Sequence, residues 1–173
     1  MRLVLIASGA FARPSLQWLA RSGHEVPLVI TQPARGSGRG RKLTRTPVAA
    51  LADDLGLQLS EMEDINSAES VARLRAVDAE VGVVIAFGQM LGPAVLRATR
   101  FGCINLHASL LPKYRGAAPI NWAVVNGESR TGCTVFRVVK RMDAGPILTT
   151  RCTEIKPDET AGELHDRLAA IGV

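Results

Sequence analysis

The chain has 173 residues, 47% of them hydrophobic and 21% charged, which suits one well-filled core and excludes both disorder and two domains of ordinary size. Its net charge of +5 is concentrated, because Arg35, Arg39, Arg41, Lys42 and Arg45 lie between Gln32 and Arg45 without an acidic residue among them. A local basic segment points to an anionic partner, phosphate or nucleic acid, where a diffuse basic surface would say little.

No apolar run approaches the roughly 20 residues that span a bilayer. The run at residues 3–6 is too short for the apolar region of a signal peptide and reads as a first strand. Cys103, Cys133 and Cys152 are odd in number, match no zinc or redox spacing, and read as buried strand thiols in a reducing compartment. The expectation is a soluble, cytoplasmic protein that acts as a monomer, away from membranes.

In chain order, residues 3–7 form a continuous apolar strand, followed by a Ser8-Gly9-Ala10 turn and a helix over 14–20 with Leu16 and Leu19 on one face. Gly9 has no glycine partners in a G-x-G-x-x-G pattern, so the turn is no dinucleotide fingerprint. Ser22-Gly23 ends that helix, and residues 26–31 are a second strand. The basic segment 32–45 comes next, with Gly36, Gly38 and Gly40 among its arginines, and reads as a flexible exposed loop. It is either an anion-binding arm or a solvated linker, and it lacks P-loop spacing.

Thr46-Pro47 starts a helix that runs to Leu55 and stops at Gly56, with a short strand at 57–59. Residues 67–77 are an amphipathic helix. Residues 79–87, AEVGVVIAF, are nearly all apolar and read as a central strand covered on both faces. Gly88 ends that strand and sets residues 87–90 at the same edge as the first turn. A short helix at 93–98 and a strand at 101–106 lead into His107. Residues 118–125 read as a helix with Trp122 on its apolar side. Strands at 134–139 and 147–155 flank Asp143, and a last helix at 160–171 carries Leu164, Leu168 and Ile171 along one face.

This alternation predicts an α/β fold: one domain over 1–173, with a Rossmann-like, mostly parallel sheet, helices on both faces and an added antiparallel pair. The stretch CINLHASLLPKYRG, 103–116, then puts Asn105 and His107 near the carboxyl end of a strand, the edge where open α/β sheets hold ligands. Asp143, in RMDAGPI, is the acidic residue expected to join them. An amide offers donors to a developing oxyanion, and an imidazole beside a carboxylate can hold or pass a proton, which suits acyl transfer to an amine. Ser109 lacks a G-x-S-x-G elbow, and one His with one Asp underfurnishes a metal site. Taken singly, His107 also fits a satisfied loop histidine, and Asp143 beside Gly145 a turn former. His24 and His165 carry no motif.

Together, Asn105-Leu106-His107, Ser109-Leu110-Leu111-Pro112, Tyr114-Arg115-Gly116 and Asp143-Ala144-Gly145-Pro146-Ile147 resemble the signature of the folate-dependent formyltransferases. Residues 116–120, and the segment from Gln32-Pro33 to Thr46-Pro47-Val48, most resemble members that act on methionyl-tRNA, and the likeness covers essentially the whole chain. It implies transfer of a formyl group from 10-formyltetrahydrofolate, without a metal, to the amine of methionyl initiator tRNA for translation initiation. Position by position, it implies Asn105, His107 and Asp143 as the catalytic trio. Ser109, Leu110, Leu111 and Pro112 would contact tetrahydrofolate, and Phe87, Gly88, Met90 and Leu91 would line the pterin pocket. The basic loop 32–45 would meet the tRNA acceptor end through Arg39, Arg41 and Lys42.

The first turn, Ala7-Ser8-Gly9-Ala10-Phe11, departs from the family's Gly-Thr-Pro-acid-Phe pattern. The family's barrel-like C-terminal domain would lie beyond Val173, so the expectation is a catalytic domain alone, binding folate better than tRNA. Two alternatives stay open. Residues 113–116, 121–122 and 139–141 also resemble enzymes that formylate amino-sugar nucleotides, and 143–146 those that formylate glycinamide ribonucleotide. A noncatalytic nucleic-acid-binding module would use the basic loop alone.

Overall fold

The apolar runs of the amino-terminal half form the strands expected of them. The structure, a computed structural model, describes residues 1–37 and 42–173. β1 (Arg2–Ala7) buries five of its six residues, and a turn leads to α1 (Arg13–Arg21), with Pro14 in its first turn. β2 (Glu25–Thr31) buries its last four residues. Two short strands, β3 (Arg35–Ser37) and β4 (Lys42–Thr44), pair antiparallel within the basic segment. α2 (Pro47–Asp54) starts on Thr46, whose Oγ1 accepts from the Ala49 N–H at 3.0 Å. β5 (Leu59–Glu61), α3 (Ala68–Ala76), β6 (Val81–Ile85), α4 (Pro93–Leu96) and β7 (Cys103–His107) follow. The chain closes with α5 (Pro119–Val125), β8 (Arg130–Arg137), β9 (Ile147–Glu154) and α6 (Ala161–Ile171), the last opened by a reciprocal Thr160–Glu163 cap.

Seven strands form one sheet in the order β5-β2-β1-β6-β7-β8-β9, parallel from β5 to β7 and antiparallel for β8 and β9. Successive residues of β1 serve opposite faces. Leu3, Leu5 and Ala7 pack with Leu16 and Leu19 of α1, Leu51 of α2, and Leu164 and Leu168 of α6. Val4 and Ile6 pack with Val71 and Leu74 of α3 and Val95 of α4. A strand covered on both sides has no solvent face to mark with polar residues, which is why β1 reads as an unbroken apolar run. The α/β class, the mostly parallel sheet and the antiparallel addition are as expected.

Besides shifts of about two residues at other element ends, four details differ. The basic segment, expected as loop, contains the β3–β4 pair, while Arg39 and Arg41 lie outside the described residues. β8 begins at Arg130 rather than 134, and Gly132 permits it: a Cβ there would sit 2.0 Å from the Arg151 carbonyl oxygen of β9. Trp122, expected on the apolar side of α5, is 54% exposed, because the helix turns Ile120 and Ala123 inward instead. Cys152, expected buried, is exposed on β9, an edge strand open along almost its whole length. Cys103 and Cys133 are buried, and burial pushes their thiols up to about 11 and about 12. Among the described residues, no helix is long and apolar enough to cross a membrane.

Candidate active site

Alternation along β7 sends Cys103, Asn105 and His107 to one side of the strand and Ile104 and Leu106 to the other. Asp143 reaches them by a less direct route. β8 runs antiparallel to β7 with Arg137 opposite Ile104, so it ends beside the start of β7, away from His107. The connection 138–146 must therefore double back. Val138 N–H donates to the Cys103 carbonyl oxygen at 2.8 Å, and Gly116 N–H donates to Asp143 Oδ2 at 2.7 Å. Gly145 makes the return possible, since a Cβ there would sit 1.7 Å from the Arg137 carbonyl oxygen. The Asp-Ala-Gly run is thus a steric requirement as well as a source of the carboxylate.

His107 is 7% exposed. Its Nε2 lies 2.8 Å from the Tyr114 carbonyl oxygen, which only accepts, so Nε2 carries a proton and donates it. Nδ1 faces Asp143 Oδ2 at 3.7 Å, too long for a direct hydrogen bond but close enough for an ion pair when the ring is charged. The half-buried Asn105 amide makes no hydrogen bond among the described residues, and so is available to a ligand.

The trio opens onto a cleft of about 630 Å³, a size typical of small-molecule sites, walled by residues 9–11, 86–90 and 116–121 with Met142. Its rim is held by side chains from behind. The Gln32 amide donates to the Phe87 carbonyl oxygen, Gln89 accepts from Ile65 N–H at 3.0 Å, and the Asn66 amide donates to the Met90 carbonyl oxygen at 3.0 Å. Ala86, Tyr114, Ala118 and Asp143 have φ of 44°, 55°, 53° and 45°, four of the five described non-glycine residues in the left-handed region. Each costs of order 1 kcal/mol or more, and such strain gathers at functional sites.

The sequence profile of the formyl transferase family matches residues 1–173. The chain belongs to the formyl transferase family. It is 48% identical over 172 residues to the methionyl-tRNA formyltransferase of Moorella thermoacetica and 43% identical to that of Geobacter metallireducens. Each match covers 99% of this chain and 55% of the relative, so the chain spans about half the length of the curated relatives it matches. Among solved structures, phosphoribosylglycinamide formyltransferase from Bacillus halodurans superposes with a TM-score of 0.78 at 24% identity, covering 99% of this chain and 89% of that one. Glycinamide ribonucleotide transformylase 1 from Geobacillus kaustophilus gives 0.78 at 25% identity, covering 99% and 92%. These superpositions show the fold.

In this chain, Asn105, His107, Asp143, Phe87, Gly88 and Met90 share the cleft wall. Leu91 is buried in the core between the sheet and α3 and α4. Ser109, Leu110, Leu111 and Pro112 do not line the cleft. Ser109 Oγ donates to the Lys113 carbonyl oxygen at 2.6 Å, Leu111 N–H donates to Thr134 Oγ1 at 3.1 Å, and Pro112 is exposed. These four shape the loop that follows His107. His165, which carries no sequence motif, lines the cleft with its ring edge-on to Phe11 at 5.4 Å between centroids. Nothing local could have shown this, because the two rings come from opposite ends of the chain.

The basic hairpin is rooted beside the cleft. Thr31 and Thr46 hydroxyls lie 2.7 Å apart, and Ser8 Oγ, next to Gly9, accepts from Gln32 N–H at 3.1 Å. Arg45 is ion-paired with Asp53 at 2.5 Å and Glu61 at 3.3 Å, and these carboxylates, Asp53 first, hold its pKa up. Arg35 and Lys42 are exposed and form no ion pair among the described residues. Also among the described residues, no group of three or more His, Cys, Asp or Glu is placed to hold a metal ion.

Proposed function

We propose that the chain is the catalytic part of an enzyme that moves the formyl group of 10-formyltetrahydrofolate onto the α-amine of methionyl initiator tRNA, in the cytoplasm, for translation initiation. The observation that carries this reading is the meeting of Asn105, His107 and Asp143 along one cleft wall. The acceptor is drawn from the names of the relatives. Phe87, Met90, Ile120 and Met142 give the cleft apolar walls for a fused heterocycle.

An α-amine titrates near a pKa of roughly 8, so a useful fraction is neutral at physiological pH. Its nitrogen attacks the formyl carbon, and the carbonyl electron pair moves onto oxygen. The Asn105 amide and the charged His107 ring, which keeps its Nε2–H on Tyr114 and carries a second proton on Nδ1, donate to that oxygen. Asp143 accepts the proton released by the amine, directly or through water, and keeps His107 Nδ1 turned toward the reacting carbon. When the C=O bond re-forms, N10 of the folate leaves and takes up the proton that Asp143 accepted. The hairpin, through Arg39, Arg41 and Lys42, would contact the phosphates of the tRNA acceptor end.

The test is a formyl-transfer assay with 10-formyltetrahydrofolate and three acceptors: charged initiator tRNA, an amino-sugar nucleotide and glycinamide ribonucleotide. Transfer to the tRNA alone supports the reading, and preference for either small acceptor replaces it. A noncatalytic nucleic-acid module would transfer nothing and gain nothing from folate. A donor at 100 times its dissociation constant should otherwise add roughly 2.7 kcal/mol of stability.

A further inference from the structure

The orientation of His107 is set by a loop rather than by its own strand. The carbonyl that receives its Nε2–H belongs to Tyr114, which holds a φ of 55° that no tyrosine adopts without a reason. The reason lies at the other end of the same residue. The Tyr114 hydroxyl donates to Glu128 Oε1 at 2.7 Å and accepts from the Asn126 amide at 3.0 Å. Glu128 is fixed in turn by Lys113, whose Nζ lies 2.9 and 3.1 Å from its two carboxylate oxygens. Lys113 and Tyr114 from the loop, and Asn126 and Glu128 from the turn after α5, close a network outside the cleft, and none of the four lines it.

We propose that Tyr114, clamped by Asn126 and Glu128, is a positioning residue: its side chain fixes the carbonyl that holds the His107 proton on Nε2 and leaves Nδ1 facing Asp143 and the reacting carbonyl. Without the clamp, Tyr114 relaxes toward an unstrained φ and its carbonyl swings away from the ring. The ring then loses the partner of its Nε2–H and is free to turn and to exchange tautomers, so Nδ1 is no longer held toward Asp143 and the reacting carbonyl. The kinetic part of this proposal rests on the formyl-transfer reading. The tautomer part does not.

Two variants test it. Tyr114→Phe keeps the ring and removes both hydroxyl bonds, while Glu128→Gln keeps an oxygen acceptor for the hydroxyl and removes the charge. Nitrogen NMR of the His107 ring should show a single Nε2–H tautomer in the unaltered protein. It should show both tautomers in Tyr114→Phe, with Nε2–H exchange at least about tenfold faster, and an intermediate pattern in Glu128→Gln. The kcat for formyl transfer should fall about tenfold in Tyr114→Phe, with the KM for the folate donor within about twofold, as expected when a reacting group is misaimed while the binding surface stays intact. A merely structural role would lower the melting temperature and leave the ring nitrogens unchanged, and that result overturns the proposal. Should Tyr114→Phe fail to fold, Glu128→Gln at the surface carries the same measurement. If the unaltered protein transfers no formyl group, the functional reading falls, and the ring spectra still decide the clamp.

Discussion

The cleft and the basic hairpin grow from the same edge of the sheet and are built in opposite ways. In the cleft, His107 is bonded to a backbone carbonyl, Asp143 to a backbone N–H, and the 86–90 wall to side chains from behind. In the hairpin, the described charges of Arg35 and Lys42 stand exposed on two three-residue strands, and Arg45 spends its charge on fastening the base. On the proposed function, the contrast follows from what each region would be asked to do. Misplacing a reacting group by about 1 Å costs on the order of 10²-fold in rate, whereas a cation attracts phosphate across a screening length of about 8–10 Å.

The largest expected effect falls on the cleft. Asn105→Ala should lower kcat for formyl transfer by about 10²-fold or more, because the oxyanion loses a donor. Unimpaired turnover would remove the cleft from the chemistry. Gly145→Ala comes next: its Cβ would collide with the Arg137 carbonyl oxygen, so the loop must shift and take Asp143 with it. A stability loss of about 1–3 kcal/mol in denaturant titration should accompany reduced turnover. A variant that keeps full activity would show that Asp143 is not needed where it lies.

The hairpin should answer differently. Arg35→Ala and Lys42→Ala should each weaken tRNA binding and lower the slope of log affinity against log salt by about one, with the effect in the acceptor KM. A change in donor KM instead would erase the distinction between the two regions. A smaller effect sits where Glu159, just before α6, pairs with Arg167 on that helix, which also brings His165 to the cleft. Glu159, paired chiefly with Arg167, has its carboxyl held below the usual 4.5. A depressed carboxyl stabilises the fold above 4.5 and loses that contribution as pH falls through its lower folded value. Glu159→Gln should therefore flatten the acid limb of the stability curve, and an unchanged limb would refute the assignment. The smallest effect is in the thiols. A thiol reagent should titrate Cys152 quickly in the native protein and reach Cys103 and Cys133 only on unfolding.

What is legible in the sequence is whatever burial on both faces or a local rule has written there. β1, β2 and β6 announce themselves as apolar runs, and the Thr46-Pro47 start as capping chemistry. The Asn105–His107 pair on β7 is legible as a change from apolar strand to polar edge. Asp143 stands out as the acid expected to join that pair, but spacing does not fix the meeting and the resemblance adds to it, since the route back depends on the register of β8 and on a glycine packed against a carbonyl. The left-handed residues are hidden, because Ala86, Tyr114 and Ala118 are not types that favour that region. The β3–β4 hairpin hides behind glycine and arginine, and the Cys152 exposure behind a strand whose edge position no local pattern reveals.

Asp143 is delivered by the connection into β9, the outermost and least covered strand, whereas Asn105 and His107 stand on β7, enclosed between β6 and β8. Partial melting from that flank detaches the acid while the rest of the trio remains seated, since peripheral segments open at lower free energy than central ones. Mild denaturant should silence turnover before spectroscopy registers any loss of the sheet.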